Sequence, residues 1–479
     1  MPLPQGPKTP PFVQLLQWIT NPFDYMESCA QRYGDIFTLR IGLGFRPLVY
    51  VSNPQALQQI LTNDMDKTIG APGEANTIFE PFLGTQGIMT QSGIRHTRKR
   101  RLLIPPFHGE RMREYGSLIE EITKQVFFRG EVFASNNKTK GKKQAGNVSR
   151  LEMDKPFSVR ECMQAISMRV ILRAVFGLSE GERYWQIEQL LHSMMDVISS
   201  PLQASQLFFP ILQQDLGAWS PWGRFLRKRQ QLDELLYAEI RERRAYSDPS
   251  RIDVLSLLMS ARDDAGEAMT DLELRDELMT LLVGGYETTG TVMTWALYWI
   301  HQLPSVREKL LEELDSLGDT PDKSDIVRLP YLSAVCSETL RIYPVGPLLF
   351  PRVVRSPITL LGHDLEPGTE LLGCIYLTHQ REDTYPQAKE FKPERFLEKR
   401  FSPYEYLPFG AGARRCVGDA LAQYEMKIVL ATILSQLELS LTNSHPARIT
   451  RRGFLSAPDN VEMVVTGQRQ KQPRLLAIK

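Results

Sequence analysis

The chain has 479 residues, 42% of them hydrophobic and 24% charged, with a formal net charge of +1. That length and apolar content support a large buried core, in one unusually large domain or about three of average size. A charge so near zero excludes chain-wide attraction to nucleic acid or anionic membranes, so an electrostatic partner must read a local patch. Cys29, Cys162, Cys336, Cys374 and Cys416 are scattered, with no CxxC pair and an odd count. This argues against a disulfide framework or a zinc site and fits a reducing cytoplasm, with peripheral membrane contact left open. The N-terminus MPLPQGPKTPPFVQLLQWIT lacks a basic region followed by a long apolar core, and prolines punctuate it. It reads as neither a signal peptide nor a transmembrane anchor.

In chain order, DIFTLRIG and PLVYVSNP (35–42 and 47–54) alternate apolar and polar residues between Gly and Pro and predict a hairpin. Helical spacing then dominates, at 54–61, 110–128, 157–177, 181–199, 224–246, 271–303, 304–316 and 331–343. Residues 134–150, ASNNKTKGKKQAGNVSR, are polar and basic and predict a surface insertion. The apolar window 279–300 is long enough to raise a membrane span. Placing Glu287 in hydrocarbon would cost ~2.5–3.5 kcal/mol, which favours a buried core helix. Residues 350–374 return to short strands separated by a His-Asp and a Pro-Gly turn. The expectation is one domain over 1–479, mainly α, with a smaller β-rich lobe made of the early strands and those at 350–374.

The stretch PFGAGARRCVGDALA (408–422) sets one cysteine among glycines and arginines ahead of a helical run. A lone cysteine is most often a small buried hydrophobe. Here, however, Cys416 falls at a helix N-terminus, where partial positive charge and unpaired N–H groups favour a thiolate, the metal-binding form. Gly410 and Gly412 permit positive φ and close backbone approach, and Gly418 removes a side chain beside the sulfur. Phe409, Gly412, Arg414, Cys416 and Gly418 occur in the order F-x-x-G-x-R-x-C-x-G. This resembles the haem-ligand loop of the cytochrome P-450 superfamily at every fixed position.

Four further stretches resemble the same family. In SETLRIYP (337–344) and FKPERF (391–396), Glu338, Arg341 and Arg395 match its buried structural Glu–Arg–Arg cluster. Alone, Glu338 and Arg341 would read as an exposed i, i+3 ion pair. GGYETTG (284–290) matches the distal pattern on the long central helix. The resemblance gives Thr288 a hydrogen bond within the helix and to oxygen, and gives Glu287 a proton relay; a glycine–threonine kink is the bland alternative. In SGIRHTRKRRLLIPPFHGERM (92–112), His96 and Arg100 fall where the family contacts the haem propionates. His96 stands where many members have tryptophan. Arg352, in the strand after the Glu–Arg helix, and Arg414 would also meet propionates.

The resemblance implies a cytochrome P-450 fold with haem b between the central distal helix and the proximal Cys-loop helix. It implies a haem-thiolate monooxygenase that uses O₂ and electrons from an external ferredoxin or flavodoxin to hydroxylate or epoxidise a lipophilic substrate. Basic residues on the expected proximal face (Lys389, Lys392, Lys399, Arg400, Arg415, with Arg98 and Arg101) could steer an acidic partner. Pocket positions by resemblance are Ile78, Phe79, Phe82, Phe208, Phe209, Leu281, Gly285, Leu348, Leu349 and Leu455. They are mostly apolar, as for a long-chain fatty acid, a terpenoid or an aromatic natural product. Arg95 and Arg451 are candidates to anchor a carboxylate. The chain as a whole looks like the soluble bacterial, especially cyanobacterial, branch. Competing readings are a peroxygenase or rearranging enzyme on the same fold, which usually departs from the acid–threonine pair, and a haem sensor without turnover.

Overall fold

A computed structural model describes residues 2–64, 67–107, 109, 111–128, 153–178, 181–199, 212–246, 248, 250–318, 320–442 and 445–469. The insertion expected at 134–150, and Phe208 and Phe209, lie outside these. The chain opens with helices α1 (Pro11–Thr20) and α2 (Pro22–Tyr33), which the sequence reading passed over because prolines punctuate the region. Both prolines occupy the first helical position, where a missing N–H costs nothing, so they start helices here.

The expected hairpin forms from β1 (Ile36–Arg40) and β2 (Pro47–Val51), antiparallel with Ile36 opposite Val51. Asn53 then caps α3 (Pro54–Thr62), its side-chain oxygen accepting the N–H groups of Gln55 and Ala56. Later strands complete the lobe: β3 (Ile69–Gly70), β5 (Arg352–Val354) and β8 (Glu370–Gly373) join in the order β1-β2-β8-β5-β3. β2 and β8 run parallel, which brings residues near 50 and 370 together. The His-Asp pair is not a turn: it lies in β7 (His363–Leu365), paired with β6 (Ile358–Leu360). The chain reverses instead at Leu361 and Gly362, both at positive φ.

The helical part contains α4 (Gly93–Leu103), α5 (Arg111–Phe128), α6 (Val159–Phe176), α7 (Glu182–Ser199) and α8 (Pro221–Ala245), with the two-residue β4 (Phe157–Ser158) before α6. Ser158 caps α6 by accepting the Glu161 N–H, and Gly177 ends it in the left-handed conformation. The central helix α9 (Asp271–Gln302) starts at a capping box in which Thr270 and Glu273 satisfy each other's backbone N–H. It ends at Leu303, whose extended backbone precedes Pro304. α10 (Pro304–Asp315) and α11 (Pro330–Ile342) follow, and α12 (Asp419–Leu434) packs on α9. α9 is buried on nearly every face by protein, and among the described residues no helix is long and apolar enough to cross a membrane.

Beyond α12 the sequence reading named no strands, yet β9 (Leu437–Leu441) and β12 (Glu462–Gln468) pair with each other, and β12 with β4. β10 (Ile449–Arg452) and β11 (Leu455–Pro458) form a separate hairpin. The architecture is mainly α with a smaller β lobe.

Candidate active site

The Cys416 loop is held by its own backbone. The Leu407 carbonyl accepts the Gly410 N–H and the Phe409 carbonyl accepts the Cys416 N–H, both at 2.9 Å. Gly410 and Gly412 take φ of +69° and +68°. At Gly412 the backbone lies close to the end of α3: a Cβ there would run into the Asp64 carboxylate and the Leu61 carbonyl. Asp64 explains this contact. It is buried, accepts the Ala413 N–H at 3.0 Å and Arg352 Nε at 2.9 Å, and sequence reasoning missed it.

Cys416 is exposed, whereas the other four cysteines are buried. Loss of solvation within the loop pushes its thiol pKa up, with Asp419 adding to this, against the pull of the Gly418 N–H, Arg100 and Arg415. Metal binding at this sulfur would displace the proton and leave the thiolate. A Cβ at Gly418 would meet nothing within 4 Å, so space lies open beside the sulfur.

The structure gathers the four expected propionate ligands. Burial lowers the His96 pKa to about 4, and Arg414, Arg100 and Arg352 lower it further by repulsion. Arg352 spends donors on Asp64, Phe350 O and Ala411 O. Arg414 donates to the carbonyls of Ala71, Ile88 and Gln91, and Arg100 donates to the carbonyl of Arg415. Arg414 therefore also clamps the segment carrying Ile78, Phe79 and Phe82. The imidazole of His96 is buried and makes no hydrogen bond to the described residues. Of the three guanidinium groups only Arg352 is in direct contact with a carboxylate, Asp64, while Glu74 and Asp419 act on Arg414 and Arg100 from farther away. That surplus fits a ligand bearing two carboxylates.

Beneath the loop, Glu338 accepts Arg341 Nε at 2.7 Å, Arg341 Nη2 at 2.8 Å, Arg395 Nε at 3.1 Å and the Lys392 N–H at 2.8 Å. All three side chains of the cluster are buried. His379, a second residue that sequence reasoning missed, joins α11 to the loop through both ring nitrogens.

On α9, Gly284 is exposed although the helix around it is buried, and a Cβ on it would meet nothing within 4 Å. Thr288, one turn on, is half-buried and donates to the Gly284 carbonyl. Gly285, expected in the pocket, belongs elsewhere: its Cβ would lie 2.7 Å from Ile171 Cδ1, so it serves the contact with α6. Glu287 is also turned toward α6 and accepts Arg160 Nη2 and Gln164 Nε2, each at 2.6 Å.

Of the expected pocket residues, Ile78, Phe79, Phe82, Leu281 and Leu455 sit in or against the main core. Leu348 and Leu349 pack instead into the two cores of the β lobe. Phe350 meets Phe79 at 6.1 Å, and Phe454 meets Phe79 at 4.8 Å. Phe82 meets Phe225 of α8 at 4.6 Å with the rings tilted by 58°. A separate groove of about 620 Å³ between α7 and α8, lined by Gln186, Gln189, Gln231 and Glu234, contains none of these residues.

The expected docking cations are largely paired. Lys389 binds Glu27, Arg415 binds Asp419, and Arg98 binds Asp263 and Glu273. Lys392, Lys399 and Arg101 bind Glu390, Glu405 and Asp264.

A soft sulfur donor, a cationic girdle and an open glycine–threonine face on a long helix define a haem-thiolate protein. The chain belongs to the cytochrome P450 family, whose profile, described as "Cytochrome P450", matches residues 4–465. It is 33% identical over 459 residues to cytochrome P450 135B1 of Mycobacterium tuberculosis, covering 96% of this chain and 90% of the relative. To cytochrome P450 138 of the same organism it is 30% identical over 471 residues, covering 98% and 97%. Similar solved structures are a retinoic acid-bound cyanobacterial CYP120A1 (TM-score 0.81, 22% identity, covering 98% of this chain and 100% of that one) and the cytochrome P450DA heme domain (0.80, 21%, 98% of each). The chain is a monooxygenase-type oxidoreductase with haem b as its cofactor.

Proposed function

We propose that the enzyme hydroxylates or epoxidises a lipophilic small molecule, with a long-chain fatty acid as first candidate and terpenoids or aromatic natural products next. The observation that carries this is the aromatic group of Phe79, Phe350 and Phe454, drawn from three distant segments, with Ile78 and Leu455 next to it in the chain. The β10–β11 hairpin brings Arg451 with Phe454, its guanidinium 4.3 Å over Trp18, and makes it a better carboxylate anchor than the exposed Arg95. Retinoic acid, bound in a structural neighbour, combines the same two features, an apolar body and a carboxylate. Type I spectral titration should give saturable binding for long-chain fatty acids and a weaker response for their methyl esters. Equal affinities would remove the carboxylate from the assignment.

Cys416 would hold the iron, with His96, Arg100, Arg352 and Arg414 holding the propionates. The haem supplies two-electron activation of O₂, with electrons from a separate ferredoxin or flavodoxin. Thr288 Oγ1 donates its one proton to the Gly284 carbonyl and is left with lone pairs that accept; it would pass a proton onward by accepting one there while its O–H turns away from that carbonyl. Glu287 would resupply that proton once its carboxylate leaves Arg160 and Gln164, takes up a proton from solvent and turns toward Thr288; Arg160 stays protonated and only holds the carboxylate in its resting position. With its usual proximal cations engaged in ion pairs, docking of the electron donor would draw on Arg400 and on short-range fit. Thr288→Ala should consume NAD(P)H at near-parental rate while product per NAD(P)H falls about tenfold or more. A fully coupled variant would remove Thr288 from proton delivery. A sensor would bind CO and form no product with any reductase.

A further inference from the structure

His379 ends the short helix Ile375–His379 and has no accessible surface. Its Nδ1 lies 3.1 Å from the Arg341 carbonyl oxygen, and its Nε2 lies 3.0 Å from the Leu407 backbone nitrogen. A carbonyl only accepts and a peptide N–H only donates. The ring is therefore the neutral tautomer with the proton on Nδ1 and the acceptor at Nε2. Arg341 returns the bond, its Nη1 donating to the His379 carbonyl at 2.7 Å. The two residues thus hold each other by reciprocal side chain–backbone bonds.

The other end of the imidazole reaches the ligand loop. Leu407 is buried, so its N–H has no other recourse than Nε2. Its carbonyl closes the turn to Gly410, and the Phe409 carbonyl within that turn receives the Cys416 N–H. Tyr406 stacks on the imidazole at 5.7 Å and 21°, and Tyr385 meets it edge-on at 6.2 Å, so the ring has no room to turn.

We propose that His379 is a positioning residue for Cys416: its imidazole is the strut that carries the Glu338–Arg341–Arg395 lock to the ligand loop through the Leu407 N–H. The proposal rests on Cys416 being the iron ligand. Two amide variants of the holoenzyme separate the ends of the strut. H379Q sets an amide oxygen near the Nε2 position and keeps the acceptor for Leu407. H379N sets an amide nitrogen near Nδ1 and keeps only the bond to Arg341. H379N is expected to speed exchange of the Leu407 amide about tenfold, the scale of one lost buried hydrogen bond. It should also move much of the reduced CO adduct from the red-shifted, thiolate-type Soret band to a blue-shifted one at unchanged haem content. H379Q should stay near the parent on both measures. A histidine that merely fills space predicts that Asn and Gln behave alike, and that result overturns the proposal. Should H379N fail to fold, H379M takes its place, filling the volume without a strong acceptor. Cys416→Ser is the control: if it keeps the red-shifted band, the fault lies with the ligand assignment and not with His379.

Discussion

Glu338→Ala is expected to yield protein that retains little haem. The carboxylate takes four hydrogen bonds, from Arg341, Arg395 and the Lys392 N–H, and has no accessible surface. Removing it strands two guanidinium groups in the interior, since Arg341 is wholly buried and Arg395 is 8% exposed. Breaking one side of a buried ion pair costs about 3–5 kcal/mol, a large part of the ~5–15 kcal/mol that holds a domain folded. The loss should fall on the proximal scaffold, because Arg341 also anchors His379 and the Glu390 carbonyl. Haem per protein after purification and the thermal midpoint measure it, with Glu338→Gln falling between because it accepts without charge. An alanine variant with parental haem content and midpoint would show that the cluster bears no load.

This lock was legible in the sequence because its two halves are short, rigid strings with fixed spacing. So was the Cys416 loop. What stayed hidden were partners brought together from afar. Asp64 reaches Arg352 across 288 positions and Ala413 across 349, and no local pattern marks an aspartate after α3 for that task. Lys389 meets Glu27 from 362 positions away, a pairing that no local pattern announces. Helical phase hid the rest. GGYETTG announced two glycines and an acid–threonine pair, but only packing decides that Gly284 faces open space, Gly285 meets Ile171 and Glu287 turns to Arg160. His379 carries a signal of sorts, a histidine between the Glu–Arg helix and FKPERF, yet a lone buried histidine is usually a satisfied core residue. The C-terminal hairpin was missed because β10 and β11 are four residues each, too short for alternation to speak.

Replacing Cys416 by serine is expected to abolish both the red-shifted Soret band of the reduced CO adduct and all product formation. A serine oxygen is a hard donor with a far higher pKa than a thiol, so it cannot offer iron the electron density that a thiolate does. No other cysteine can substitute. Cys29, Cys336 and Cys374 are buried, with thiols pushed up to about 11, 12 and 12, and burial drives Cys162 higher still. The fold should survive, because the loop is held by backbone bonds, by Asp64 and by His379, none of which involves the sulfur. The propionate girdle of His96, Arg100, Arg352 and Arg414 is equally untouched, so part of the haem should still bind. The decisive pattern is therefore parental far-ultraviolet circular dichroism, residual haem and a blue-shifted CO adduct in one preparation. A serine variant that kept the red-shifted band would move the iron ligand to another residue and separate the girdle from the metal it is built around.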